Sequence, residues 1–149
     1  MDSKEYMNLA YREAAAAAAR GEVPIGAVVV GPAGEVLASA GNEVEARNDP
    51  TAHAEVLAIR AAGEKLGEPR LPGCDLYVTL EPCAMCATAA SFARIRRIVF
   101  GAYDPKGGGV EHGPRIFSQP TCHHAPDVVG GVEASRAEQM LKGFFAARR

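Results

Sequence analysis

The sequence predicts an α/β domain in which a mixed sheet of about five strands carries helices on both faces. Helical and strand-like segments follow one another in the order α-β-β-α-β-α-β-α, with a candidate fifth strand before the last helix. The 149 residues are the length of a single domain, here residues 1–149. Hydrophobic residues make up 48% and charged residues 23% of the chain, which is ordinary for a globular protein and excludes a disordered one.

The chain opens with a predicted helix and a hairpin. Residues 4–20 are rich in Ala, Glu and Arg and contain neither Gly nor Pro, so they predict a helix that Gly21 ends. Two apolar runs, at residues 26–30 and 35–40, flank a turn of Gly and Pro residues, which is typical of a β-hairpin. Residues 42–48 are polar and predict an irregular segment.

A second helix is predicted to start at Asp49 and to run through Ala62. Asp49 offers a capping oxygen, and Pro50 suits the first turn of a helix because its missing N–H would be unpaired there anyway. Gly63 then supplies an end to the helix.

Strands and helices alternate again in the second half. β-Branched and aromatic residues predict a strand over residues 75–79, Pro82 opens a helix over about 83–93, and residues 97–100 predict the next strand. The stretch 104–127 holds many Gly, Pro and polar residues and predicts a long loop with one helical turn. Long loops in compact domains are often functional.

The C-terminal part is predicted to hold a short strand at residues 127–129 and an amphipathic helix over 133–147. Four apolar residues lie on or near one face of that helix: Met140, Leu141, Phe144 and Phe145. One of the two phenylalanines is expected in the core, which leaves the other free to bind a ligand.

Charge and hydropathy narrow the possible partners. The net charge of −2 argues against coating nucleic acid by bulk charge, although residues 1–75 hold seven basic and twelve acidic side chains and residues 76–149 hold nine and six. A polyanion should therefore prefer the second half. No apolar run reaches the ~20 residues of a membrane helix, and no secretory signal is visible, so we expect a cytoplasmic protein that does not engage a membrane.

Four cysteines raise the question of what their thiols do. Two disulfides would be one interpretation, but metal binding or free thiols are favoured in a reducing cytosol. Cys83 and Cys86 are three residues apart at the start of a predicted helix, where they share one face and the positive helix end favours thiolates. Cys74 and Cys122 are expected to be buried or half-buried thiols rather than ligands.

Two thiolates and one imidazole form a donor set that suits zinc. His53 lies near the start of the preceding predicted helix, and Cys83 and Cys86 supply the soft sulfur ligands. Three protein ligands leave one position of a tetrahedral ion open, as in catalytic zinc sites. The other thiols could close that position, so the ligand count alone does not decide between a catalytic and a structural site. Residues two apart on a helix point to nearly opposite sides, so His53 and Glu55 converge only on a target beyond the helix end.

Glu55 is interpreted as a proton carrier. With two thiolates already balancing the charge of Zn²⁺, a carboxylate beside the first ligand has no structural need to bind the metal. A zinc-activated water would be the nucleophile, and Glu55 would take its proton and return it to the substrate.

These motifs resemble those of the zinc-dependent cytidine and adenosine deaminases. The resemblance rests on His53-Ala54-Glu55 and Pro82-Cys83-Ala84-Met85-Cys86, and it extends from about Tyr6 to the end of the chain. More narrowly, Glu22-Val-Pro-Ile-Gly-Ala27, the segment 48–55, Leu76-Tyr-Val-Thr-Leu-Glu-Pro-Cys83 and the terminal segment 144–149 are similar to bacterial tRNA-specific adenosine deaminases. The resemblance implies a three-layer α/β/α cytidine-deaminase-like fold, one Zn²⁺ per chain, and a homodimer.

The implied reaction is hydrolytic deamination of adenosine to inosine at the wobble position of a tRNA anticodon, with the arginine tRNA as the expected substrate. By the same resemblance Asn42 would hold the flipped base through its amide, and Ile25 would wall the pocket. Asp104, Lys106 and Phe145 would contact the anticodon stem-loop. Phosphates could meet a set of arginines in the more basic half: Arg94, Arg96, Arg97, Arg148 and Arg149.

Several alternatives stay open from the residues alone. The enzyme could act on a free nucleobase or nucleoside of the guanine or cytosine type, because the zinc signature is common to these deaminases. The chain could also be a zinc-stabilised binding module without catalysis. Asn42 could merely stabilise a turn beside Gly41. The cluster of Arg94, Arg96 and Arg97 could be a solvated face, and the pair His123-His124 is favoured as part of a polar loop over a second metal site.

Overall fold

The computed structural model describes residues 1–148 and contains a five-stranded mixed sheet between two layers of helices, which confirms the predicted fold class. A short 3₁₀ turn, Ile116–Ser118, interrupts the long loop between the last two strands. The elements in chain order are α1 (Ser3–Ala19), β1 (Gly26–Val30), β2 (Val36–Gly41), α2 (Val44–Arg47), α3 (Ala54–Leu66), β3 (Asp75–Leu80), α4 (Ala84–Phe92), β4 (Arg97–Ala102), β5 (Asp127–Val129) and α5 (Ala134–Ala146).

The strands lie in the order β2-β1-β3-β4-β5. Strand β1 is antiparallel to both β2 and β3, whereas β3, β4 and β5 run parallel to one another. A parallel pair needs a crossover connection, and α4 supplies it between β3 and β4. The carboxyl ends of β3 and β4 therefore open on the same edge of the sheet, next to the amino end of α4.

Alternation of side chains along the strands builds one core on each face of the sheet. Val29 and Val78 point to the layer formed by α3 and α4, where Ala58 and Ala87 are fully buried. The opposite core joins the other strand positions to α1 and α5, and includes Tyr6, Met7, Tyr11, Val28, Tyr77 and Ala137. The small side chains of α3 let this helix approach β1 and β2 closely.

The segment before α3 differs from the prediction. Asp49 does not cap a helix; its carboxylate accepts hydrogen bonds from the backbone N–H and the hydroxyl of Thr51, at 2.8 and 2.7 Å, and so forms a local turn. The helix begins only at Ala54, with His53 in an extended conformation before it. Asn48 ends the short helix α2 with a φ of 49°, in a segment that the sequence predicts to be irregular.

The end of α3 also lies beyond its predicted position. Gly63 is inside the helix, and Gly67, with a φ of 68°, is the residue that terminates it. The chain returns close to Gly63, where a Cβ atom would lie 3.0 Å from the carbonyl oxygen of Glu68. The glycine thus serves a close approach of the backbone rather than the end of the helix.

Within residues 1–148, no helix combines the length and the apolar character that crossing a bilayer requires.

Candidate active site

Two helix starts meet beside the carboxyl end of β3 and bring the predicted metal ligands together. His53 is the N-cap of α3 and Cys83 is the N-cap of α4, and both have extended backbone angles. Cys86 lies one turn further along α4 and is fully buried. Because His53 is outside the helix, its side chain is free of the helical spacing that would turn it away from Glu55.

The ligand atoms of these three residues lie close enough together to bind one ion. His53 Nδ1 lies 3.6 Å from Cys83 Sγ and 3.4 Å from Cys86 Sγ. Zinc at ordinary bond lengths separates tetrahedral nitrogen and sulfur ligands by about 3.5 Å. Among the described residues, these three form the group of His, Cys, Asp or Glu ligand atoms that all lie within 4.8 Å of one another, and Glu55 is outside it.

The titration of the thiols suits a cation between them. A hydrogen bond with Cys86 lowers the pKa of Cys83 to about 4 against the opposing effect of burial, with further lowering from His53. The pKa of Cys86 is raised because that thiol donates to Cys83 and is itself buried. The lowered pKa of Cys83 favours its thiolate form, and a bound cation would favour ionisation of Cys86 as well.

Glu55 occupies the second position of α3 and is buried beside this cluster. Burial raises the pKa of its carboxyl group to about 7, and the charge of Cys83 raises it further, whereas His53 and the backbone N–H of Glu55 act in the opposite direction. A carboxyl group with a pKa near neutrality can both accept and return a proton at physiological pH.

A cavity of about 490 Å³ opens at His53. Asn42 and Ile25, the two residues predicted to recognise and wall a base, both line it. This volume falls within the ~300–1,000 Å³ typical of small-molecule sites. The remaining lining residues are Gly21, Glu22, Val23, Val44, Glu45, Ala54, Phe144 and Arg148.

Asn42 lines the cavity, and a hydrogen bond to the backbone holds its side chain. The side-chain Oδ1 accepts a hydrogen bond of 3.3 Å from the N–H of Val44. The backbone N–H of Asn42 donates to the carbonyl of Ile25 at 3.1 Å. Within the part of the chain that the structure describes, the amide NH₂ group donates to no protein acceptor, so it is available to a ligand.

The structure does not place the other predicted substrate residues around this cavity. Asp104 and Lys106 lie on the loop after β4, and the Asp104 Oδ1 accepts hydrogen bonds from the N–H groups of Lys106 and Gly107 at 3.2 and 3.0 Å. Phe145 is 47% exposed, while its neighbour Phe144 lines the cavity with Arg148 stacked 3.5 Å from the ring centroid.

Arg94, Arg96 and Arg97 lie at the opposite end of the sheet from the predicted metal ligands, whereas Arg148 lines the cavity. Arg96 pairs with Asp75 through two hydrogen bonds of 2.9 and 2.7 Å, and Arg97 begins β4. The Cys83 turn instead follows the far end of β3, about 20 Å along the strand direction. Arg149, another predicted phosphate contact, lies outside the described residues.

The remaining thiols and histidines have local roles. Cys74 is buried and Cys122 half-buried, both as free thiols, as predicted. Cys122 Sγ donates to the carbonyl of His124 at 3.2 Å, and the His124 ring pairs with the carbonyl of Ile95.

Two buried carboxylates, Glu22 and Glu81, have roles that the sequence does not predict. Glu22 accepts hydrogen bonds from the N–H groups of Glu45 and Ala46, at 3.0 and 2.8 Å, and so fixes α2 beside the cavity. Glu81 does the same for the loop that carries Asp104. The available signal is a charged residue at the edge of a buried apolar strand, because such a group needs partners inside the protein.

Comparison with known proteins agrees with this geometry. Residues 1–102 match the family model described as the cytidine and deoxycytidylate deaminase zinc-binding region. The tRNA-specific adenosine deaminase of Agrobacterium fabrum is 60% identical to this chain over 144 residues, which cover 97% of this chain and 94% of that protein.

Solved structures give the same relationship. One from a study of A-to-I editing by tRNA:A34 deaminases at the wobble position of transfer RNA has a TM-score of 0.91 and 60% identity, covering 93% of this chain and 99% of that one. The guanine deaminase of Bacillus subtilis has a TM-score of 0.69 and 30% identity, covering 99% and 94%. The matched zinc-binding region and the His/Cys/Cys cluster together support one zinc ion in this chain. The chain belongs to the tRNA-specific adenosine deaminases, within the zinc-binding cytidine and deoxycytidylate deaminase family.

Proposed function

We propose that the protein converts adenosine to inosine at the wobble position of a tRNA anticodon by hydrolysis, with the arginine tRNA as its substrate. The observation that carries this proposal is the cavity that joins Asn42 and Ile25 to His53, at the His/Cys/Cys cluster. The relative from Agrobacterium fabrum, which is named for this substrate class, aligns over 97% of the chain.

We infer that zinc is held by His53 through Nδ1 and by Cys83 and Cys86 through Sγ. The distances of 3.4 and 3.6 Å between the nitrogen and the two sulfurs support this assignment. When bound, zinc supplies a Lewis acid that makes water nucleophilic at neutral pH. The N-cap positions of His53 and Cys83 fix both ligands at the ends of rigid helices.

Glu55 carries the protons of the reaction in this proposal. Its carboxylate takes a proton from the attacking water and delivers it to N1 of the adenine ring. It then takes the proton of the hydroxyl group newly formed at C6 and delivers it to the departing amine. Water adds at C6, the C6–N6 bond breaks, and inosine and ammonia are the products. The pKa of about 7 supports both halves of this transfer, because neither protonation state is strongly favoured at neutral pH.

Asn42 and Ile25 recognise the flipped base. The free NH₂ group of Asn42 can donate to an acceptor on the base edge, and Ile25 covers part of the cavity wall with apolar surface. Extruding an anticodon-loop base costs little compared with a paired base, since it is already single-stranded.

The RNA around that base would meet the loop after β4 and the last helix. Asp104, Lys106 and Phe145 are the proposed contacts of the anticodon stem-loop, and the exposed ring of Phe145 is suited to stacking on a base. Arg148 lies at the mouth of the cavity, where its guanidinium can approach a phosphate.

We further infer that the active form is a homodimer of this one-domain chain in the cytoplasm. Phe92, at the end of α4, is 69% exposed and lies between shallow surfaces lined by α3 and α4 residues such as Val56 and Met85. A second copy would bury this apolar patch. The free thiols agree with a reducing compartment.

A substrate competition tests the proposed function. Purified zinc-loaded enzyme is offered the arginine tRNA, an unrelated tRNA, and free adenosine, guanine and cytosine, and inosine is scored by sequencing while ammonia is measured for the free compounds. We expect inosine at the wobble position of the arginine tRNA. Release of ammonia from guanine, with no inosine formed in either tRNA, would instead assign guanine deaminase activity, as in the Bacillus subtilis relative.

The dimer has its own test. Light scattering at several protein concentrations should give twice the 15.6 kDa chain mass, and Phe92→Glu should give the monomer mass. Leu66→Glu, which changes another exposed apolar residue of 45% exposure, is the matched control and should remain dimeric. A monomeric wild-type protein would contradict the assembly without affecting the substrate assignment.

A further inference from the structure

Glu81 has a side chain that is 0% exposed and a role that the chemistry above does not use. It follows β3 directly and precedes Cys83 by two residues. One carboxylate oxygen, Oε1, accepts the N–H of Asp104 at 3.0 Å and lies 2.8 Å from His112 Nδ1. The other oxygen, Oε2, accepts the N–H groups of Val110, Glu111 and His112 at 3.2, 2.9 and 3.1 Å.

These bonds gather both ends of one loop onto a single carboxylate. The loop consists of residues 103–113. Asp104 binds Glu81 near the start of the loop, and Val110, Glu111 and His112 bind it near the end. A buried charge is retained only where hydrogen bonds replace its lost water, and here every replacing donor belongs to this loop. The carboxylate therefore specifies the path of the loop rather than merely tolerating it.

The same loop packs without a gap against the turn that carries Cys83. The N–H of Gly109 donates to the carbonyl of Pro82 at 2.8 Å. A Cβ atom at Gly109 would lie 2.5 Å from the nitrogen of Ala84, and a side chain at Gly108 would collide with the carboxylate of Glu81. Only glycine allows this approach, so the loop and the start of α4 are fitted to each other.

The outer side of the loop presents the residues assigned to RNA. Lys106 is exposed and Asp104 half-buried, whereas the backbone of residues 108–110 faces inward. The position of Lys106 relative to the metal ligands is thus set through Glu81 and through the Gly109–Pro82 bond. Both connections are to the segment that leads into Cys83.

We propose that Glu81 is a positioning residue that fixes the place of the RNA-contacting loop relative to the turn that carries Cys83. This inference rests on the proposed function, since the loop is taken to bind the anticodon stem-loop. Removing the negative charge should free the loop without removing any metal ligand. Binding of the RNA should suffer, and the chemical step should be largely preserved.

Glu81→Gln is the direct test because it keeps the volume of the side chain but can accept hydrogen bonds at only one of the two positions. The matched control is Asp75→Asn, which neutralises a carboxylate at the other end of β3 that pairs with Arg96. We expect Glu81→Gln to keep one zinc per chain, to raise KM for the anticodon stem-loop roughly tenfold, and to change kcat less than about threefold. Asp75→Asn should leave KM unchanged.

A second variant keeps the test decisive if Glu81→Gln folds poorly. His112→Phe removes the ring donor to Glu81 but preserves an aromatic ring against Tyr103, whose ring centroid lies 6.0 Å away. It should raise KM in the same direction by a smaller factor.

Hydrogen exchange supplies a readout that does not depend on activity. In the wild-type zinc-loaded enzyme the amides of Val110, Glu111 and His112 should be protected, and Glu81→Gln should release them while the amides of β3 stay protected. Equal KM values for Glu81→Gln and Asp75→Asn would overturn the proposal, as would loss of zinc with KM unchanged. If the wild-type enzyme ignores tRNA, the proposed function fails, and the exchange result still decides whether Glu81 anchors the loop.

Discussion

Residues 1–102 and residues 103–148 contribute to the proposed site in different ways. The first region holds the three proposed zinc ligands, Glu55, and the two residues proposed to bind the base, each on or beside a regular element. The second region holds a long loop, a three-residue strand and α5, in which Ala137 is the one helix residue that is fully buried. The family model matches the first region and ends where the second begins.

This contrast separates the chemical step and the base-binding cavity from the proposed contacts to the surrounding RNA. Side chains at helix starts are fixed by the sheet and the core, so substitutions there should act on zinc content and kcat. A loop held through one buried carboxylate and a helix half in solvent can change position and sequence more readily, so substitutions there should act on KM. Substitutions at the metal cluster and in the second region should therefore differ in whether they change kcat or KM.

The largest effect is expected from His53→Ala. Removing the imidazole leaves two sulfurs to hold the metal, so zinc content should fall well below one per chain. Activity should fall by more than roughly 100-fold, because even the loss of a residue that only hydrogen-bonds to a metal ligand can cost that much. Elemental analysis with a tRNA deamination assay measures both. His123→Ala, which changes an exposed histidine of the second region, should keep zinc and activity. Undiminished zinc in His53→Ala would rule out this ligand.

Glu55→Gln should lower kcat by about 10²–10⁴-fold while zinc content and KM stay near wild-type. The amide has the size of the carboxylate but cannot carry the proton between water and the base. Rapid-quench kinetics on the anticodon stem-loop provide the measurement, and Glu64→Gln, on the exposed side of the same helix, is the control. A loss of zinc in Glu55→Gln would show that the carboxylate supports the metal instead.

The sequence predicts the first region well because its signals are local. The Cys83–Cys86 spacing fixes two ligands on one helical turn, and the alternating apolar strands define the sheet without knowledge of distant contacts. The predicted start of α3 is wrong for a local reason as well. The Asp49 carboxylate can either cap a helix or accept hydrogen bonds from Thr51 in a turn, and the structure has the turn. His53 is therefore extended, with its ring close to the two sulfurs.

The second region resists prediction because its contacts join residues far apart in the chain. Glu81 meets Val110 and His112 about thirty positions later, and no periodicity records that pairing. Phe144 and Phe145 are equivalent in sequence, yet only Phe144 lines the cavity, since the docking angle of α5 decides between them. Such choices depend on the packed fold rather than on the pattern of one segment.

A substitution of intermediate effect tests the cavity wall of the first region. Asn42→Asp keeps an acceptor for the N–H of Val44 but loses the NH₂ group, whereas Asn42→Ala loses both. If that NH₂ group binds the base, both variants should raise KM for the stem-loop, roughly tenfold. Thermal unfolding separates the two roles of the side chain, because only Asn42→Ala should lower Tm. A wild-type KM in Asn42→Asp would return Asn42 to a turn-stabilising role.

The smallest effect is expected from Phe145→Ala in the second region. A stacked base typically loses ~1–3 kcal/mol when its aromatic partner is truncated, and the solvent exposure of Phe145 places the expected KM increase near the lower limit, about fivefold. Because the ring is 47% exposed, its removal should leave Tm almost unchanged, which distinguishes RNA binding from packing. Leu66→Ala, with 45% exposure on α3, is the matched control and should change neither quantity. Phe144→Ala should instead lower Tm as well as raise KM, since that ring packs against Arg148 at the cavity. A Phe145→Ala variant with wild-type KM, beside an affected Phe144→Ala, would transfer the stacking role to Phe144, the ring that lines the cavity.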